Sequence, residues 1–219
     1  MTPRPDDRLR WPGEALPPLG RRADRDAAPV GDRPLVGVLA LQGGVAEHVA
    51  ALERSGAAAR LVKTPAALEG LDGLVLPGGE STTMTLGIER EGLAEPLRDA
   101  VTGGLPVLAT CAGLILLDRA HLDLLPVACE RNAFGRQIRS FEADVDVAGL
   151  EGGPFHAVFI RAPKVVDLGA GVEETARVDD AVVGVRRDAV EGYAFHPELT
   201  EDDRLHAAFV ARVAARRAG

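Results

Sequence analysis

Thr110-Cys111-Ala112-Gly113 is the first place where this chain can do chemistry. The four residues close an apolar run and open a helical pattern from Leu114 onward. A sharp strand-to-helix turn lifts its middle residue above a sheet, and small neighbours permit such a turn. A helix N-terminus favours thiolate over thiol. The backbone N–H of Ala112 is placed to face a developing oxyanion. Position alone leaves a buried structural cysteine equally open, because free cysteine is among the most buried residue types.

A cysteine nucleophile needs a base, and His196-Pro197-Glu198 offers one after the run Tyr193-Ala194-Phe195. In extended geometry residues i and i+2 share a side, so Glu198 can stand beside His196. A carboxylate there fixes the imidazole tautomer and stabilises imidazolium. Taken alone, His196 reads more readily as a structural histidine. Paired with the cysteine turn it gains weight, since Cys-His-acid is a known nucleophilic arrangement.

Pro77-Gly78-Gly79-Glu80-Ser81-Thr82-Thr83 is a third feature. Glycines after a strand expose backbone N–H groups to a ligand, and Ser81 is positioned to cap the next helix. No lysine follows these glycines, so a phosphate loop is disfavoured. His48 reads as structural, near the Gln42-Gly43-Gly44 loop. His121, His156, His206 and Cys129 have no zinc-ligand spacing, and Cys129 reads as inert packing in a strand over 124–129. No metal site is expected.

The elements that must position these residues follow an α/β order. Leu35 to Leu41 is a continuous apolar run, as a strand buried on both faces requires. A helix is expected over Val45–Arg54, with Gly56 beyond its end. Strands follow at 59–62, 74–76 and 106–110, with two helices before the last. This alternation implies a three-layer α/β fold with a mostly parallel central sheet and flanking helices. Ligands in such sheets sit beyond the carboxyl ends of the strands. The second half reads as an antiparallel extension. Phe141 to Val147 alternates apolar and acidic residues, and short runs at 158–160, 172–178, 182–187 and 190–195 continue it. A final amphipathic helix is expected over 201–217, with Thr200 as its N-cap.

Composition narrows the function. Of 219 residues 46% are hydrophobic, enough for a real core. The net charge is −8, which disfavours a nucleic-acid partner. Two cysteines cannot build a disulfide framework, which points to a reducing, cytoplasmic setting. The longest uncharged run, between Asp99 and Asp118, is broken by Gly103, Gly104 and Pro106, so no membrane span is expected. Residues 1–34 hold seven of the 15 prolines and no apolar period. They read as a disordered N-terminal extension, and residues 35–219 as a single domain.

Six segments together resemble a known family. They are residues 37–43 (GVLALQG), 76–84 (LPGGESTTM), 110–117 (TCAGLILL), 130–137 (ERNAFGRQ), 159–163 (FIRAP) and 195–200 (FHPELT). In this order they resemble the glutaminase subunit of pyridoxal 5′-phosphate synthase, a class I, triad-type glutamine amidotransferase with a flavodoxin-like fold. The resemblance implies Cys111, His196 and Glu198 as the triad. It implies oxyanion N–H groups at Gly79 and Ala112, and a glutamine pocket lined by Gly79, Glu80, Ser81, Arg131, Ile160 and Arg161. It places Gln42, Gly43 and His48 in a segment for partner contact or activation. It implies L-glutamine as substrate, no cofactor, and a (β/α)8-barrel synthase subunit as partner in a large hetero-oligomer. Ala109 departs from the pattern, which usually has glycine two residues before the nucleophile.

Overall fold

The computed structural model describes residues 32–131 and 140–218. Most of the extension expected at 1–34, and residues 132–137 of the Arg-Asn segment, therefore lie outside the described residues. The chain runs β1 (Leu35–Leu39), α1 (Val45–Arg54), β2 (Ala58–Val62), β3 (Gly73–Leu76), α2 (Ser81–Arg90), α3 (Ala94–Thr102), β4 (Val107–Thr110) and α4 (Ala112–Leu117). It continues with β5 (Val127–Glu130), β6 (Ser140–Val145), β7 (Phe155–Ile160), β8 (Lys164–Leu168), β9 (Glu173–Val178), β10 (Ala181–Arg187), β11 (Val190–Tyr193) and α5 (Arg204–Ala218).

Among the described residues one sheet has the order β2-β1-β3-β4-β11-β10-β8-β5, with β9 also on β10. The five strands β2 to β11 are parallel. The strands from β10 outward pair antiparallel. This is the parallel sheet with an antiparallel extension that the sequence pattern predicts. β3, β4 and β11 are buried at every residue, which explains the apolar runs of β3 and β4; in β11 the buried Glu191 is paired with Arg212. Helix α1 packs beside α5, and α2 beside α4. No helix among the described residues is long and apolar enough to cross a membrane.

β6 and β7 form a separate antiparallel ribbon whose burial alternates with period two. Its inner face carries Phe155 and Phe159, both fully buried. Phe159 stacks on Phe141 at 4.4 Å and meets Phe195 edge-on at 5.5 Å. Aromatics are scarce in this chain, yet they gather where the ribbon meets the end of β11. Each such ring contributes about 1.5–3 kcal/mol by burial, so the cluster fixes the ribbon over the sheet edge.

Three local expectations are corrected. Helix α2 is capped by Glu80, not Ser81: the Glu80 carboxylate accepts from Thr82 N (3.1 Å) and Thr83 N (2.8 Å). A carboxylate reaches two orphan donors where a hydroxyl reaches one. Helix α5 begins at Arg204, and Thr200 instead closes a turn in which its Oγ1 accepts from Asp202 N. Strand β5 begins at Val127, because Leu124 N and Leu125 N are drawn back to Leu117 O before Pro126.

Candidate active site

Cys111 sits on the turn between β4 and α4 with φ 47° and ψ −107°. A positive φ is strained for a residue with a Cβ, and such strain persists only where the surroundings fix it. Here they do. β4 is fully buried, and Cys111 N donates to Tyr193 O at 2.8 Å. Small residues make room: a Cβ on Gly113 would lie 2.0 Å from Leu76 O. Ala109 lies inside β4 with negative φ, so its methyl is accommodated two residues before the cysteine. The Cys111 Sγ lies 3.8 Å from Ile160 O, and only 6% of the residue is exposed.

His196 follows the end of β11, and its backbone N–H donates to Val158 O of β7 at 2.9 Å. Its Nδ1–H donates to Glu198 Oε1 at 2.7 Å. Glu198 lies in the one-turn 3-10 helix Pro197–Leu199 and is buried. The i, i+2 pairing foreseen from the sequence is therefore formed, in a tight turn and not in an extended strand. Burial opposes charge on His196, but hydrogen bonds with Cys111 and Glu198 outweigh it and push its pKa up to about 10. Burial likewise opposes charge on Glu198, yet the His196 hydrogen bond and the nearby histidines hold its carboxyl below the ordinary value. The imidazole is hydrogen-bonded to both partners, so Cys111, His196 and Glu198 form one row. Gly78 allows it: a Cβ there would lie 2.5 Å from His196 Cε1 and 3.2 Å from Cys111 Cβ.

The three groups open into a cavity of about 420 Å³ beyond the carboxyl ends of the parallel strands. Every residue the resemblance assigns to oxyanion or glutamine binding lines it: Gly79, Glu80, Ser81, Ala112, Arg131, Ile160 and Arg161. The Arg131 guanidinium reaches Glu80 Oε1 (3.2 Å) and Thr82 Oγ1 (3.4 Å). Hydrogen bonds from Thr83 and Thr82 hold the exposed Glu80 carboxyl down at about 2. Arg161 ends β7 with φ 46°, a second strained residue at the rim.

Gln42 and Gly43 also line the cavity. Gly44 N donates to Gly78 O (3.1 Å), and Gln42 Oε1 accepts from Glu80 N (2.5 Å). Gly43 has φ 103°, and a Cβ there would lie 1.7 Å from Gly78 O, so only glycine fits. His48 departs from its expected grouping with them. Its side chain is fully buried behind the cavity, so it offers no surface for partner contact. Its Nε2 lies 3.4 Å from Glu198 Oε2. Cys129 is buffered from chemistry, since burial and Asp118 push its thiol up to about 12. Ile115 and Leu199 line the cavity without any sequence signal beyond their apolar character. No group of three His, Cys, Asp or Glu among the described residues is arranged to hold a metal ion.

The profile of the SNO glutamine amidotransferase family matches residues 38–215. The chain belongs to the SNO glutamine amidotransferase family. Relatives in that family bear the name pyridoxal 5′-phosphate synthase subunit PdxT. The one from Clavibacter sepedonicus is 52% identical over 193 residues, spanning 84% of this chain and 92% of the relative. The one from Geobacillus kaustophilus is 53% identical over 177 residues, spanning 78% and 90%. A solved glutamine amidotransferase is 47% identical with a TM-score of 0.76, over 82% of this chain and 98% of that one. PurLQS from Thermotoga maritima, at 20% identity and TM-score 0.66 over 85% and 100%, shares the fold.

Proposed function

We propose that this glutamine amidotransferase hydrolyses L-glutamine at Cys111 and delivers the ammonia to a (β/α)8-barrel pyridoxal 5′-phosphate synthase subunit. The Cys111–His196–Glu198 row at the mouth of the cavity carries this reading. The Cys111 thiolate adds to the side-chain carboxamide carbon, and the C=O electrons move onto oxygen. The N–H groups of Gly79 and Ala112 hold that oxyanion. As the C–N bond breaks, the imidazolium of His196 gives its proton to the leaving nitrogen, and a γ-glutamyl thioester remains. Water then loses a proton to His196 and attacks the thioester. Cys111 departs as thiolate, and glutamate is freed. Glu198 keeps the Nδ1–H of His196 aimed away from the substrate, so that the other nitrogen does the transfer.

Arg131 suits the α-carboxylate of glutamine by charge and planar geometry. In the unliganded chain Glu80 holds it in place. Glu80, Ser81, Ile160 and Arg161 complete the pocket. Leu199 is 46% exposed and Ile160 37% exposed at the rim, apolar surface of the kind a partner subunit covers. The Gln42-Gly43-Gly44 loop, stitched to Gly78 and Glu80, transmits partner binding to the oxyanion N–H groups. The setting is the cytoplasm, where a free thiol persists.

The experiment is covalent trapping with an electrophilic diazoketone analogue of glutamine. Mass spectrometry is expected to find one adduct, on Cys111 and not on Cys129. An adduct elsewhere, or none in the presence of the synthase subunit, would overturn the reading.

A further inference from the structure

Behind the triad lies a second row of buried polar side chains that the proposed chemistry does not use. His48 of α1 and His206 of α5 are both fully buried. His48 Nε2 lies 3.0 Å from Thr110 Oγ1 and 3.4 Å from Glu198 Oε2. On the other edge of the ring, Nδ1 lies 2.9 Å from His206 Nε2. Glu198 thus has a histidine near each oxygen: His196 is hydrogen-bonded to Oε1, while His48 Nε2 stands 3.4 Å from Oε2, a buried oxygen with no hydrogen-bond partner among the described residues. His48 does not line the cavity, so it cannot touch substrate.

The protons on this row can be assigned. Burial first, and then like-charged neighbours, push both rings toward the neutral form, His206 to about 4. Each ring then carries one N–H at neutral pH. If His48 carried it on Nδ1, a bare Nε2 lone pair would face the buried Glu198 carboxylate, which is repulsive. That arrangement would also strand an N–H on His206 Nδ1, which has no hydrogen-bond partner among the described residues. Orphaned buried N–H groups are rare, and unpaired acceptors less so. With the proton on His48 Nε2, an N–H faces Thr110 and the carboxylate. His206 Nε2–H then donates into His48 Nδ1, and only a lone pair is left over.

We propose that His48, locked in its Nε2–H form by His206, is a positioning residue that holds the second oxygen of Glu198 ionised and in place, and so acts on Cys111 through Glu198 and His196. This rests on the triad reading above. The groups facing the row are Glu47 on α1, His196 and Glu198 from the β11 end, and, around His206, Asp203 and Arg54. Arg54 and Asp203 pair with each other at 2.7 Å, so neither competes for His48.

Two variants separate positioning from packing. His48→Phe keeps a planar aromatic ring, somewhat larger than imidazole, and removes the donor. His48→Gln restores an N–H near the Nε2 position. Glutamate release is measured against pH for each in the full complex with the synthase subunit. In His48→Phe, kcat is expected to fall about tenfold, as loss of the N–H that faces a buried carboxylate oxygen implies. KM is expected to stay within about twofold, since ground-state binding is untouched. The acid limb of the profile is expected to move to higher pH, because Glu198 protonates more readily without its donor. His48→Gln is expected to return the limb to its native position. A limb unmoved in both variants would overturn the proposal. The native chain alone gives an independent test by histidine 15N NMR. A protonated Nε2 and bare Nδ1 on His48 are expected, and the opposite tautomer would overturn the assignment. Glutamate release that survives Cys111→Ala would instead contradict the triad reading, which the NMR result does not depend on.

Discussion

The parallel and antiparallel regions of this molecule share one cavity but supply it differently. The parallel strands β3, β4 and β11 are buried throughout, and each is followed by a turn that brings to the cavity a residue with a proposed reacting or oxyanion-binding role: Gly79, Cys111 and His196. The antiparallel strands β5 and β7 are buried on alternate residues or less, and they end in Arg131 and Ile160-Arg161 at the rim. A strand packed on both faces cannot shift, so it holds strained turns such as Cys111 and close backbone packing such as that at Gly113, where no Cβ fits. A half-wet ribbon tolerates change and presents charge to solvent. Chemistry is built on the first kind of support and recognition on the second. The β11–β10 ladder joins the two regions within the sheet, and the ribbon meets the β11 end through the hydrogen bond from His196 N to Val158 O and the Phe155–Phe159–Phe195 cluster.

That division breaks most readily in the parallel half. Gly113→Val forces a side chain against Leu76 O, and a loss of about 3 kcal/mol or more is expected from overpacking. Thermal melts and soluble yield check it; a native melt would show that the turn is not packed as described. Next in size, His196→Asn is expected to lower kcat by about a thousandfold, within the usual range for a general acid–base. Steady-state release of glutamate measures the loss.

The antiparallel half is expected to answer in KM instead. Arg131→Ala should raise KM for glutamine about tenfold, as loss of one charge-assisted pair implies, with kcat little changed. If kcat falls as far as in His196→Asn, recognition and chemistry are not divided between the halves. Gly43→Val sharpens the link to the partner. It should impair activation by the synthase subunit more than it weakens binding, read by comparing titration calorimetry with glutamate release.

The smallest effect concerns protonation. His196 is raised above its unfolded value, so its charged form supports the folded site fully below about pH 6.5 and is lost as pH rises through about 10. An NMR titration of His196 should find that high midpoint. It should move down in Cys111→Ala, where one of the two supporting hydrogen bonds is gone. A midpoint indifferent to Cys111 would mean that the imidazole and thiol are not coupled.

Much of this was legible in the sequence because it is local. The strand–Cys–helix turn, the His-Pro-Glu spacing and the buried runs at β1, β3 and β4 each declare themselves within a few residues. The residues that were misread depend on distant partners. His48 and His206 are 158 positions apart, and nothing near either one signals a shared hydrogen bond. Glu80 took the cap from Ser81 because its longer side chain reaches two donors, a contest that spacing alone does not decide. The scattered phenylalanines gave no period, since they converge from β6, β7 and the β11 end.

The central claim is most directly tested by glutamate release from glutamine, with and without the barrel synthase subunit, for the native chain and Cys111→Ala. Release that depends on the partner and disappears in the variant is the predicted result. Release that persists in Cys111→Ala, or that is absent although the complex forms, would contradict it.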